Sequence, residues 1–128
     1  MNSDRIKDFL DFIEECQNAY SFAQENMKRE DERLQDLLHA IEFETKARER
    51  SKLCTKLHNS RIERRDNKNV VELTEDIVDF FQEPQHRKTL EQMKQLLGKV
   101  RKVENYHSNR QLVLCQDLVQ VKMRFSPF

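Results

Sequence analysis

The sequence predicts an all-α protein: a long helical hairpin or coiled-coil-like bundle, with shorter helices after residue 69 and a short tail whose pattern fits an extended segment. Three observations predict it. One glycine and two prolines occur in 128 residues, whereas tight turns and sheet corners ordinarily need glycine for its positive φ. Charged residues make up 36% and hydrophobic residues 37%. That balance, rich in Glu, Lys, Arg, Leu and Gln, belongs to long helices rather than to a thick globular core or a disordered chain. The third observation is a heptad pattern that opens near the start of the chain.

Ser3, with Asp4 and Asp8 behind it, reads as the N-cap of the first helix, because carboxylates there meet the positive end of the helix dipole. Ile6, Ile13, Tyr20, Met27, Leu34 and Ile41 then fall seven apart, and Phe9, Cys16, Ala23 and Leu37 fall three after their partners. Six heptads with an apolar first position form a seam suited to a second helix, either within the chain or from another copy. The pattern fails at Glu30 and Glu44. Phe12, Leu38 and Leu10 widen the stripe, as in a bundle helix.

No breaker precedes Pro84, yet one helix from Asp4 to Arg65 would be about 93 Å long. A bend is therefore expected near Lys28–Arg33 or Glu44–Ser51, and a change in charge at residue 45 favours the second site. Asn67-Lys68-Asn69 is the first cluster of turn formers, and Asn69 with Glu72 resembles a capping box opening a short helix. Val70, Leu73, Ile77 and Phe81 would share a face of it. Pro84 ends that helix or begins the next. Leu90, Met93, Leu97, Val100 and Val103 give a further stripe, with Gly98 inside it as a site for close packing. After Ser108-Asn109 the pattern changes. Leu112–Leu118 fits helix or strand, and Val119, Val121, Met123 and Phe125 alternate with polar residues at the period of a strand. The expected organisation is a helical domain over 1–107 and a tail over 108–128.

Net charge is zero but blocked. Residues 1–45 carry 5 basic and 12 acidic side chains, 46–68 carry 9 and 3, 69–85 carry 0 and 5, and 86–128 carry 9 and 3. Such alternation suits antiparallel neighbours that neutralise one another, or a basic surface offered to a partner. Arg61, Arg64, Arg65 and Lys68, spaced i, i+3, i+4, i+7, form one positive stripe on a helix, and Lys99, Arg101 and Lys102 form a second cluster. Arginine forks suit carboxylates and phosphates, so both are candidate contacts for another protein or a nucleic acid. Zero net charge and the absence of interleaved aromatic residues weigh against nucleic acid. The apolar seam, Ile6, Phe9, Ile13, Cys16, Tyr20, Met27, Leu34, Leu37 and Ile41, is the candidate oligomer surface, and a thin core favours a homodimer.

No catalytic grouping emerges. There is no glycine-rich phosphate loop, dinucleotide fingerprint or supported Ser/Cys–His–Asp set. The paired acids Glu14-Glu15 and Glu30-Asp31-Glu32 lack an apolar pocket and read as solvated faces. Asp36 with His39, and Glu104 with His107, follow the carboxylate-x-x-His grammar of di-iron bundles. Glu14 and Glu75 are the glutamates available to complete such a set, and surface histidines are the simpler reading. Cys16, Cys54 and Cys115 are too dispersed for a metal knuckle or disulfide framework and read as buried free thiols. No cofactor and no metal is expected, and the chain reads as non-enzymatic. It has no run of about 20 apolar residues for a membrane span and no signal-peptide h-region, so it is expected to stay in the compartment where it is made.

The stretch Leu57-His58-Asn59-Ser60-Arg61-Ile62-Glu63-Arg64-Arg65-Asp66-Asn67-Lys68, followed by Val71-Glu72-Leu73, resembles small helical proteins encoded by phages and prophages of Gram-positive bacteria. Leu96-Leu97-Gly98-Lys99-Val100-Arg101-Lys102-Val103-Glu104 and Arg110 resemble the second half of that pattern. The resemblance covers residues 57–110. It departs at Asp66-Asn67-Lys68-Asn69 and after Arg110, where the expected Tyr and Pro are missing. It implies no assigned activity and a cytoplasmic setting in a bacterium or phage-infected cell. An accessory or regulatory factor that binds another protein is the function these readings together lead to.

Overall fold

In the computed structural model the chain forms three helices, α1 (Asn2–Phe43), α2 (Ala47–Gln82) and α3 (Pro84–Arg124). The structure describes residues 1–124, with side chains as far as residue 110. At 1.5 Å per residue the helices are about 63, 54 and 62 Å long. Among the described residues there is no strand, and no helix is long and apolar enough to cross a membrane. The chain divides into two compact units, Met1–Leu10 with Arg87–Phe128, and Asp11–His86.

In the larger unit, α1 stops at the charge switch. Glu44–Lys46 separate the helices, and polar contacts replace the missing Gly or Pro. Arg50 donates from Nε and Nη2 to the Glu44 carbonyl at 3.2 and 2.8 Å, and Lys46 N–H donates to Glu44 Oε1 at 3.0 Å. A guanidinium at a helix C-terminus satisfies carbonyls that the last turn leaves open and complements the dipole. After this short link α2 returns along α1. Glu30 and Ser60, each 14 residues from Glu44 or Lys46, the ends of the link, meet through a hydrogen bond from Ser60 Oγ.

The buried positions explain the pairing. On α1 the inward residues are Ile13, Cys16, Tyr20, Ala23, Met27, Glu30, Leu34, Leu37 and Ile41, alternately three and four apart. On α2, Leu53, Leu57, Ser60, Arg64, Asn67, Val71, Thr74, Val78 and Phe81 repeat the same spacing. Only Ile13, Cys16, Ala23, Leu37 and Val78 among the apolar side chains of this unit are buried, and of these only the small Ala23 falls below 2% exposure. The core is a seam rather than a centre.

That seam overrides the expected turn at Asn67–Asn69. These residues lie inside α2. Asparagine costs a helix only about 0.5–0.7 kcal/mol relative to alanine, and a break there would interrupt the inward row on both sides. Asn67 also keeps its side chain within the helix, donating from Nδ2 to the Glu63 carbonyl at 2.9 Å. The predicted short helix is thus the C-terminal part of a long one.

Pro84 begins α3, where its missing N–H costs nothing, and Glu83 before it is extended at φ −61°, ψ 136°, as a pre-proline residue prefers. His86 closes the joint. Its ring stacks on Phe80 with centroids 3.8 Å apart and planes at 14°, and Nδ1 lies 2.7 Å from the Phe80 carbonyl oxygen. A carbonyl only accepts, so Nδ1 carries the hydrogen.

In the smaller unit the start of α1 departs from expectation. The helix begins at Asn2, and Ser3 is not its cap. Ser3 is buried, and Glu104 of α3 supplies the cap: Ser3 N–H donates to Oε1 at 3.0 Å and Ser3 Oγ to Oε2 at 2.5 Å. The inward row of α3 is Leu90, Met93, Leu97, Val100, Glu104 and Ser108. Val103, expected in that row, is 57% exposed, and Glu104 takes the slot. A Cβ at Gly98 would meet nothing within 4 Å, so no close approach requires that glycine.

The expected extended tail is also corrected. Residues 108–124 continue α3. A lone strand would leave its backbone N–H and C=O groups unpaired, whereas a helix satisfies them within itself. Phe125, the last member of the alternating run, lies outside the described residues.

Candidate protein-docking surface

The four residues of the basic stripe lie together on α2 and border one cleft, but they differ in their partners. Arg64 turns toward α1, where Nε donates to Asp31 Oδ1 at 2.6 Å with the arginine 32% exposed. Arg61, Arg65 and Lys68 are exposed, and none has a hydrogen-bond or ion-pair partner among the described residues. With Arg64, Asn69 and Glu72 they line a shallow cleft of about 380 Å³. Glu63 and Asp66, which interrupt the basic run in sequence, line a different cleft with Asn26, Arg29, Glu30 and Asn67. The helix therefore sorts the charges: acids of the run go to the edge facing α1, and the three free cations stay on the outer ridge.

The same ridge changes sign further along. One hundred degrees per residue places Glu72, Glu75 and Asp79 in line with Arg61, Arg65 and Lys68. These three acids and Asp76 are exposed and unpaired among the described residues. Arg61–Arg65, Arg64–Lys68, Glu72–Asp76 and Glu75–Asp79 are like-charge i,i+4 pairs, each costing an isolated helix about 0.2–0.5 kcal/mol. Ile62, Leu73 and Phe80, 46%, 78% and 50% exposed, form an apolar line beside the ridge. The sequence showed the cations. The matching acids were visible only as a charge block until α2 proved continuous through residues 67–69.

In the smaller unit Lys99, Arg101 and Lys102 are exposed on α3 and likewise unpaired among the described residues. Lys99 borders a small apolar cleft with Asn2, Val100, Val103 and Glu104. Ser3 holds the Glu104 carboxyl below its ordinary value, first through its hydroxyl and then through its amide.

The heptad seam lies against this chain's own helices. Ile13, Cys16 and Leu37 are buried, and Ile6, Tyr20, Met27, Leu34 and Ile41 are half-buried. Phe9 is 40% exposed. Among the described residues no three His, Cys, Asp or Glu side chains converge as metal ligands would. Asp36 and His39 are exposed, and Glu104 is engaged by Ser3. Cys16 is buried as expected, but Cys54 is exposed. Cys115 lies outside the residues whose side chains are described. Comparison with protein-family models, curated proteins and solved structures gave no match.

Proposed function

We propose that this chain is a non-enzymatic interaction protein, a coiled-coil-type helical hairpin with a third helix, that binds another protein through its outer helical faces. The observation that carries the reading is the ridge of α2. Three cations and the acids after them stand exposed without intramolecular partners among the described residues, in a helix whose like-charge neighbours repel. A protein partner with the opposite pattern relieves that repulsion. The exposed line Ile62, Leu73 and Phe80 adds apolar area beside the charges, as an interface needs. The resemblance over residues 57–110 supports an accessory or regulatory role of the kind phages and prophages encode, in a bacterial cytoplasm.

A nucleic acid would have to lie along the same ridge. Glu72, Glu75 and Asp79 follow the cations within two or three turns and would repel its phosphates. The test is capture from the native host with wild-type bait and with R61A/R65A/K68A at 0.15 M salt. The reading expects a protein retained by the first and lost by the second. Equal capture overturns it. A DNA or RNA gel shift at that salt, lost in the variant, replaces it with the nucleic-acid reading.

A further inference from the structure

We infer that the occupant of the α2 ridge is a second copy of this chain, docked antiparallel about a two-fold axis near Val70. The inference rests on the protein-docking reading above and names its partner. Cations stand at 61, 64, 65 and 68 and acids at 72, 75, 76 and 79. The two sets have the same i, i+3, i+4, i+7 spacing and opposite sign, and they are mirror images in sequence about residue 70. An isologous contact requires this property, that a surface be complementary to itself when reversed.

Laying two α2 helices antiparallel about that point sets Arg61 opposite Asp79 of the second copy, Arg65 opposite Glu75 and Lys68 opposite Glu72. The two-fold repeats each pair, giving six. All six residues on the ridge are exposed and without a partner in their own chain, among the described residues. Arg64, the one cation already paired, is the one that turns inward to Asp31.

A two-fold axis of this kind also brings like flank to like flank. The apolar line beside the charges meets its own copy, with Ile62 within a turn of Phe80 of the second copy, and Leu73 near the axis. The contact spans residues 61–80, about 29 Å of helix. Each like-charge i,i+4 pair that weakens α2 alone gains opposite charges across the axis. Net charge is zero, so no overall repulsion opposes the approach of two copies.

Sedimentation velocity of the full chain tests this. At 0.05 M salt a dimer is expected, with the dissociation constant rising at least about tenfold at 0.5 M as screening shortens the reach of exposed pairs. R61E/R65E/K68E makes the ridge wholly acidic and E72K/E75K/D79K makes it wholly basic. Each alone should be monomeric, and an equimolar mixture should restore a dimer containing one of each. Should either triple variant lose helicity by circular dichroism, the internal swap R65E/E75R preserves the pairing and should still dimerise. A wild-type monomer at 0.05 M salt, or folded triple variants that stay monomeric when mixed, overturns self-pairing. If capture is still lost in R61A/R65A/K68A in that case, the docking reading stands and only its occupant was wrong. A dimer that persists unchanged in both triple variants overturns the pairing and removes its support from the ridge.

Discussion

Ser60→Ala tests the polar step in the seam between α1 and α2. Glu30 sits in an apolar heptad slot with its side chain 12% exposed, and Ser60 is 3% exposed and donates its hydroxyl to that carboxylate. Removing the hydroxyl leaves a largely buried carboxylate oxygen without this donor. Arg33, 4.0 Å away and itself half in solvent, compensates little. The expected cost is about 1–2 kcal/mol, or a fall in Tm of about 3–5 °C per kcal/mol for a chain of this length. The double variant E30L/S60A restores an apolar layer and should be more stable than wild type by about 1–2 kcal/mol, because a well-packed apolar substitute avoids desolvating a charge. Urea unfolding followed by circular dichroism at 222 nm measures both. Loss of less than about 0.3 kcal/mol in S60A, a value typical of an ordinary surface site, would refute the argument that this hydrogen bond sustains the buried carboxylate.

Further expectations follow from single sites. Gly98→Ala should stabilise the chain by about 0.5–1 kcal/mol, since the added methyl meets open space within a helix and alanine is the better helix former; a loss in urea midpoint would show a contact that the fold does not contain. Leu37→Ala should cost about 2–4 kcal/mol, because Leu37 is one of the few buried side chains of a thin seam; Leu38→Ala next to it, 46% exposed, should cost far less in the same titration. Glu104 has a folded pKa lowered from its ordinary 4.5. Its contribution is therefore complete above that value and is lost as pH falls through the folded pKa. Urea midpoints measured from pH 6 down to about pH 2.5 should fall less steeply in Glu104→Gln than in wild type, and an unchanged acid slope would contradict the cap on α1.

Much of the fold was legible because helical periodicity is local. The 3–4 spacing from Ile6 to Ile41 and the scarcity of glycine marked a long first helix, while its end stayed between two sites and Pro84 stood as either the end of one helix or the start of the next; the structure ends α1 at Phe43 and begins α3 at Pro84. The errors fell where local preference and tertiary burial disagree. Asn67 and Asn69 are turn formers, yet Arg64, Asn67, Val71 and Thr74 keep one inward row, and that row holds them in helix. Val119–Arg124 alternate like a strand, yet among the described residues no strand is present to receive their backbone groups. Ser3 looked like a cap because a serine before an apolar run usually is one, and a glutamate 101 residues away cannot be seen in the local pattern.

The basic stripe divides along the same line. By itself the sequence determined that Arg61, Arg64, Arg65 and Lys68 share a helix face, because that depends only on the rise and rotation per residue. Only the tertiary structure decided that Arg64 is held by Asp31 while Arg61, Arg65 and Lys68 have no partner among the described residues, and that the acids of 72–79 continue their ridge without a break. Which charge meets which is set by the register of α2 on α1. That register is fixed by contacts between residues some 30 positions apart, such as Glu30 with Ser60 and Asp31 with Arg64.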